Sequence, residues 1–374
     1  MIPYVEIKDA DRVTIGIIDT AKSIIWHSVY FGVGDFEIYA QATPQNIELL
    51  RLGYYVLRPD KVDVGVIEDI NVGFNVHDGY IITATGRFAK CILDRRLIYN
   101  LSGTVNTATI LRGNVEIAVR QVVQDNAINC TFDTRRNIPI LGLAALNNYP
   151  YIIRDKSGNA AQKQVSYDNL MTYTDGVLAE YGMAARVIYN DSNKKLLYSV
   201  YCGVDRSESN TEGNDPVIFS VDYDNLNSST YDIDVANARN SALIGGAGEG
   251  IDRFYSFITD DSDGLERREL FVDARAVNRT YDDGGTQAEY TDAEYAGMLN
   301  QQGMAELDKH PIQEQFSGSI NATFGAWKFD EDYFIGDIVT VQDNKLGKYN
   351  TARITETTEV QDESGYTVDV VFGS

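Results

Sequence analysis

The sequence predicts a mainly β protein with an α+β insert, its two ends each reading as a small β-barrel-like module. Three observations point there. Residues 1–98 and 311–374 are filled with short stretches of alternating apolar and polar residues between turn signals, the pattern of strands with one buried and one wet face. Between residues 99 and 204 the apolar spacing turns helical twice and is followed by a hairpin pattern. At 374 residues the chain exceeds one ordinary core, so about two to four domains are expected.

The elements follow in order. Residues 5–8, 12–18, 23–26 and 36–40 read as strands, with a turn at Gly32 and Gly34 before the fourth. Thr43 and Pro44 open a short helix to residue 50, Thr as N-cap and Pro at the first helical position. Residues 54–58, 64–70 and 80–85 continue as a meander, and strands at this spacing suggest a barrel. Residues 114–124 and 168–181 carry helical apolar spacing, with Asn114 a cap for the first. Residues 185–189 and 196–201 make a hairpin around the turn at 190–193. A polar loop is expected at 203–215, then strands at 216–221, 241–245, 254–259 and 269–272. A helix runs from about 292 to 309 and is stopped by Pro311. The chain closes with strands at 335–341, 353–360 and 366–372, turning at 343–347 and at Ser364 and Gly365. The resulting divisions are 1–98, 99–204, 205–310 and 311–374.

Composition sets the chemistry. Hydrophobic residues at 44% and aromatics at 11% fit a globular protein, and 24 tyrosines favour strands and interfaces. The 55 acids against 32 bases give a formal charge of −23, which suits solubility and disfavours nucleic-acid binding. Cys91, Cys130 and Cys202 are far apart, without the spacing of a disulfide framework or zinc site. No apolar run approaches a membrane span, and the opening residues 1–6 have neither the basic region nor the apolar core of a signal peptide.

No motif announces catalysis or a cofactor. The glycine run from Gly245 to Gly250 lacks the Lys-Ser/Thr of a phosphate loop, and Glu249 would repel phosphate. It reads as a tight bend where chain approaches chain. Residues 259–270 fail as a calcium loop, since Thr259 and Leu270 stand at the first and twelfth positions. Residues 260–264 read as an acidic hairpin turn, and residues 282–285 and 330–332 as solvated turns. The three histidines, His27, His77 and His310, have no neighbouring Cys and no H-E-x-x-H arrangement, and there is no nucleophile elbow. Among 55 acids some pair must lie close, so a paired-carboxylate glycosidase stays open. Asp94-Arg95, Asp205-Arg206 and Asp273-Ala274-Arg275 set carboxylate beside guanidinium, either as surface salt bridges or as ties fixing domain or subunit register.

Several segments together resemble a known family. They are Gly34-Asp35-Phe36, Asp94-Arg95-Arg96, Gly203-Val204-Asp205-Arg206, Gly248-Glu249-Gly250-Ile251-Asp252-Arg253, Val272-Asp273-Ala274-Arg275, Gly336-Asp337-Ile338 and Ala352-Arg353-Ile354. In order and spacing they resemble the siphovirus tail protein family described as "gene product thirty-seven-like" (ReqiPepy type), related to tail baseplate hub and tail-tip proteins. The resemblance implies a structural, non-enzymatic virion part at the tail tip or baseplate, assembled in the cytoplasm of the host bacterium. It implies a homotrimeric hub in which both barrel-like modules of each subunit enter a ring and the α+β domain lies outside. Three subunits then offer six similar faces to a sixfold tube. Its partners would be the tail tube or distal tail protein on one side and tip or receptor-binding proteins on the other, in a phage, prophage or tail-like bacteriocin. In such a ring part of the acidic charge would line the passage for DNA. Gly34, Asp35, Asp94, Arg95, Asp205, Arg206, Gly248, Gly250, Arg253, Asp273, Arg275, Gly336, Asp337 and Arg353 would be structural motif positions, with no catalytic, cofactor or metal site. Two other readings remain, a tail-associated cell-wall hydrolase and a carbohydrate-binding tail module for host attachment.

Overall fold

A computed structural model of the chain describes residues 4–102, 105–106, 108–154, 159–283, 286–320, 327–345 and 347–373. They form two compact units, Met1–Thr230 together with Ser317–Ser374, and Tyr231–Phe316.

The first unit opens with strands β1 (Val5–Lys8), β2 (Thr14–Ile18), β3 (Ala21–Val29) and β4 (Asp35–Gln41) and the short helix α1 (Pro44–Leu49). Strands β5 (Tyr55–Leu57), β6 (Val64–Asn75) and β7 (Gly79–Phe88) follow. Then come helix α2 (Val115–Val123), strand β8 (Leu141–Leu143), helix α3 (Leu170–Ala179) and the hairpin β9 (Met183–Asn190) and β10 (Lys195–Cys202). Inside the expected polar loop lies the two-residue strand β11 (Asp205–Arg206), and β12 (Ile218–Ser220) follows it. The caps form as their chemistry requires: Thr43 and Asn114 accept from Asn46 N and Ile117 N, and Asn169 caps α3.

The second unit holds β13 (Ser241–Gly245), β14 (Tyr255–Ile258), β15 (Glu269–Asp273) and helix α4 (Asp292–Leu307). The strand order is β14-β13-β15. Ala242, Ile244 and Val272 pack beneath Tyr295 and Leu299 of α4. Gly303 lets the helix seat closely, since a Cβ there would meet Ile244 at 2.7 Å. Thr291 and Glu294 close a capping box at its start. Asp282 and Asp283, read as a solvated turn, belong to a short strand opposite Thr286–Glu289, while Gly284 and Gly285 lie outside the described residues, as does Leu346 of the expected turn at 343–347.

The chain returns to the first unit for β16 (Ile338–Asp343), β17 (Lys348–Asp362) and β18 (Gly365–Gly373). One 14-stranded sheet contains both ends of the sequence. Its order is Leu226–Asp234, Gln313–Ile320, β18, β17, β3, β4, β7, β6, β5, β1, β2, with β16 branching from β17 and taking β11 and β12 in parallel. The barrel-like form expected of each end is not seen, because no sheet closes among the described residues. Instead β3 pairs antiparallel with β17, from Ser23 opposite Asp362 to Val29 opposite Glu356. The physical reason is that period-two alternation specifies which face of a strand is buried, and leaves its neighbour to tertiary packing. Ile24, Trp26, Phe36, Ile38 and Phe88 fill the core beneath this sheet. The core of the α+β segment, with Val119, Leu178, Val187 and Tyr198, runs on into Val64, Val66 and Leu93.

Candidate functional site

The motif positions near the end of the chain meet at one junction in the first unit. Gly203 follows β10 directly and passes so close to the turn before β16 that a Cβ on it would lie 1.8 Å from Gly336 O. Gly336 has φ +91, and a Cβ there would strike the ring of Tyr30. The buried hydroxyl of Tyr30 donates to Gly182 O at 2.9 Å and accepts from Gly203 N at 2.9 Å. Burial pushes this phenol well above its usual range, so it stays a neutral donor. Asp337 is 2% exposed and accepts three times, from Val204 N at 2.7 Å, Arg206 Nε at 2.9 Å and Phe334 N at 3.0 Å. Arg353 donates to Gly336 O at 2.5 Å and stands over the Tyr30 ring at 5.3 Å. Four stretches far apart in sequence are thus pinned to one another. Tyr30 and Gly203 carry as much of this junction as the motif positions, and nothing local marks Tyr30 among 24 tyrosines.

The Asp205-Arg206 neighbours do not pair with each other. Arg206 goes to Asp337, while Asp205 accepts from Ser207 N at 2.8 Å. Asp94 and Arg95 part in the same way. Asp94 takes Arg87 at 3.1 Å and Asn169 at 3.0 Å, and Arg95 reaches Glu68 at 3.8 Å. Asp205 and Arg206 lie on an extended chain, where adjacent residues point to opposite faces. Asp94 and Arg95 end a 3-10 helix, Ala89–Arg95, where adjacent residues point about 120° apart. Each therefore finds its own partner. Gly34 is a close approach, with a Cβ only 2.1 Å from His27 O.

Beside the junction lies a cavity of about 510 Å³ whose wall includes Asp60, Lys61, Asp63, Arg186, Tyr201 and Asp330. Desolvation raises the Asp63 carboxyl above its ordinary value despite Arg186 nearby. Asp330, expected as part of a solvated turn, is held by Lys61, and desolvation raises its carboxyl too. Lys61 Nζ also lies 2.5 Å from Glu359 Oε1, off the hydrogen-bond direction. Arg58 reaches Glu359 at 3.3 Å and Asp60 at 2.6 Å, and Tyr366 donates to Glu359 at 2.5 Å. The Arg58 and Glu359 side chains are 2% and 1% exposed. This buried network ties the loop after β5 to β17. The other carboxyls on the cavity wall, Asp60, Asp330 and Asp337, are each held by a cation.

His27 on β3 also joins the two ends. It lies 3.0 Å from Asp35 on β4 and 3.2 Å from Glu356 on β17. Desolvation pulls its pKa down, but the hydrogen bonds to Asp35 and Glu356 outweigh that and leave it above 6.5. Its contribution to stability is therefore complete below the unfolded pKa and lost as pH rises through the higher folded value. Thermal scans should show His27→Gln costing more at about pH 5.5 than at about pH 8.5. An equal loss at both would contradict the charged bridge.

In the second unit the glycine run bends as expected around Arg253. A Cβ on Gly248, with φ +94, would lie 2.3 Å from Asp252 O. Arg253 donates to Gly245 O at 2.9 Å, Gly246 O at 3.1 Å and Asp273 at 2.5 Å. Arg275 holds the other oxygen of Asp273 at 2.7 Å. Hydrogen bonds from Arg275, opposed by desolvation and joined by Arg253, drive that carboxyl far below its usual range. Gly250, at φ +55, completes the bend.

Among the described residues no group of three or more His, Cys, Asp and Glu side chains could hold a metal ion. No helix among them is long and apolar enough to cross a membrane. A family model of siphovirus ReqiPepy6 Gp37-like proteins matches residues 4–374. The chain belongs to this family of phage tail proteins. It is a structural component of the phage tail. The fold is similar to that of a tail protein from Neisseria meningitidis MC58, at TM-score 0.57 and 12% identity over 100% of this chain and 97% of that one. It is similar as well to the 43 kDa tail protein of prophage MuSo2 from Shewanella oneidensis, at TM-score 0.56 and 12% identity over 99% and 98%. Among curated proteins no sequence match is found. The junction ties residues from both ends of the chain together within the first unit.

Proposed function

We propose that this tail protein is the homotrimeric hub of the tail tip or baseplate, joining the tail tube or distal tail protein to tip or receptor-binding parts. In this reading the segments 1–98 and 311–374 build the ring, and 99–204 lies outside it. The observation that carries the reading is the open sheet. Strand β2 ends the sheet order; Ile15 and Ile17 along it are 40% and 46% exposed, and Val13 just before it is 44% exposed. An apolar edge strand is a pairing template that a subunit in a closed ring would cover. The role is assembly and gating without bond chemistry, and three of the four carboxyls on the cavity wall, Asp60, Asp330 and Asp337, serve as ion-pair partners. Assembly would take place in the host cytoplasm.

Light scattering across a concentration series tests this. The expected mass is about 125 kDa, three times 41.6 kDa. Ile15→Lys with Ile17→Lys places charges on the edge and is expected to return the mass to one subunit with unchanged circular dichroism. A trimer that survives both substitutions would move the interface elsewhere. A monomer at every concentration would contradict self-assembly of the isolated chain.

A further inference from the structure

The sheet of the second unit has two unlike faces. One packs on α4. On the other, Leu243 of β13 stands opposite Phe257 on β14 and Phe271 on β15, making one row across three strands. Phe257 is 65% exposed, Phe271 53% and the adjacent Tyr255 44%. Three large exposed rings on one face mark a contact surface.

The next row is polar and held in place. Gly245 lies between Tyr255 and Asp273. Having no side chain, it leaves room for the Arg253 guanidinium, which a Cβ there would meet at 2.6 Å. Arg253 stands 5.7 Å from the Tyr255 ring centroid and 5.5 Å from that of Phe271. Asp273 is clamped between Arg253 and Arg275, and the Arg275 side chain remains 58% exposed.

We propose that this face binds a neutral polysaccharide strand of β-linked pyranose sugars. The platform is small: with about 200 Å² per ring its exposed aromatic surface is on the order of 300 Å². A stable protein interface needs about 800 Å² per partner. Spacing suits a glycan. Phe257 and Phe271 sit on strands that flank β13, so they are roughly 10 Å apart, close to the span of two pyranose rings in an extended β-1,4 chain. The C–H faces of such sugars carry partial positive hydrogens that match the negative face of an aromatic ring. Arg275 and Asp273 offer planar donors and acceptors to the hydroxyls, already fixed by their mutual pairing, so little ordering is required on binding. The carboxylates Glu269 and Asp273 on the same face, on a chain of charge −23, disfavour a polyanion. The inference is independent of the hub reading.

The test is calorimetric titration of the full chain with soluble chitohexaose and with cellohexaose, with the solution mass followed in parallel. Saturable binding of at least one is expected. Phe257→Ala and Phe271→Ala should each weaken it about tenfold or more. Phe257→Tyr, which keeps a ring, should retain it. Phe74→Ala, at an exposed ring of the first unit, should leave it unchanged. No saturable heat with either sugar overturns the proposal, as does binding indifferent to the Phe257 and Phe271 substitutions. A lower solution mass in those two variants would mean that the face meets another copy of the chain, and would overturn it too.

Discussion

Replacing Gly203 with alanine is expected to destabilise the protein by about 3 kcal/mol or more. The added Cβ would lie 1.8 Å from Gly336 O, 2.1 Å from its carbonyl carbon and 2.6 Å from Asp337 N, all backbone atoms. Neither chain can retreat freely. Gly336 N donates to Ile354 O at 2.9 Å, and Gly336 O accepts from Arg353. Moving Gly203 instead breaks its hydrogen bond to Tyr30 and pulls Val204 N from Asp337. A fall in melting midpoint on the order of 5–10 °C is expected for a unit of this size. Gly176→Ala is the control, because nothing lies within 4 Å of its would-be Cβ in α3. Alanine there should be neutral or stabilising by up to about 1 kcal/mol. If both variants melt with the parent, the junction does not constrain the fold.

Glu359→Ala is expected to cost about 3–5 kcal/mol, because it leaves two buried cations short of a partner. Glu359 lies opposite Trp26 in the β3–β17 pairing. Arg58, 5.6 Å from the Trp26 ring, would keep only Asp60, and Lys61 would keep only Asp330 among the ion pairs described. Tyr366 would lose the acceptor for its hydroxyl. Glu359→Gln keeps the shape and that acceptor, so its loss should be smaller. Tyr366→Phe should cost about 1 kcal/mol, one hydrogen bond. Denaturant titration separates these values. A Glu359→Ala midpoint equal to the parent would mean that the network adds nothing to the hold between the two ends.

Local structure was legible wherever side chains act on their own neighbourhood. Thr43 and Asn114 cap the helices they precede, and the alternation in residues 353–360 and 366–372 lies within β17 and β18. The helix expected to residue 309 stops at Leu307, with Pro311 following. What depends on distant partners was not legible. In the stretch of β17 that pairs with β3 the inward residues are Thr357, Glu359 and Gln361, and polar side chains there give no hint that β3 lies alongside. Arg206 and Arg95 look matched to the carboxylates before them, yet the backbone turns each toward another partner. The glycine run was readable as a bend, but not the guanidinium it encloses. The row of Phe257, Leu243 and Phe271 was hidden because it sets apolar residues on the open face beside apolar residues packed on α4, so alternation could not tell outside from inside.

The most direct test of the hub reading is the position of this chain in the particle. Purified tails should be decorated with gold-labelled antibody against it and imaged by electron microscopy. Label confined to the distal end of the tail is the expected result. Label spread along the tube, or at the head-proximal end, would contradict a hub at the tip.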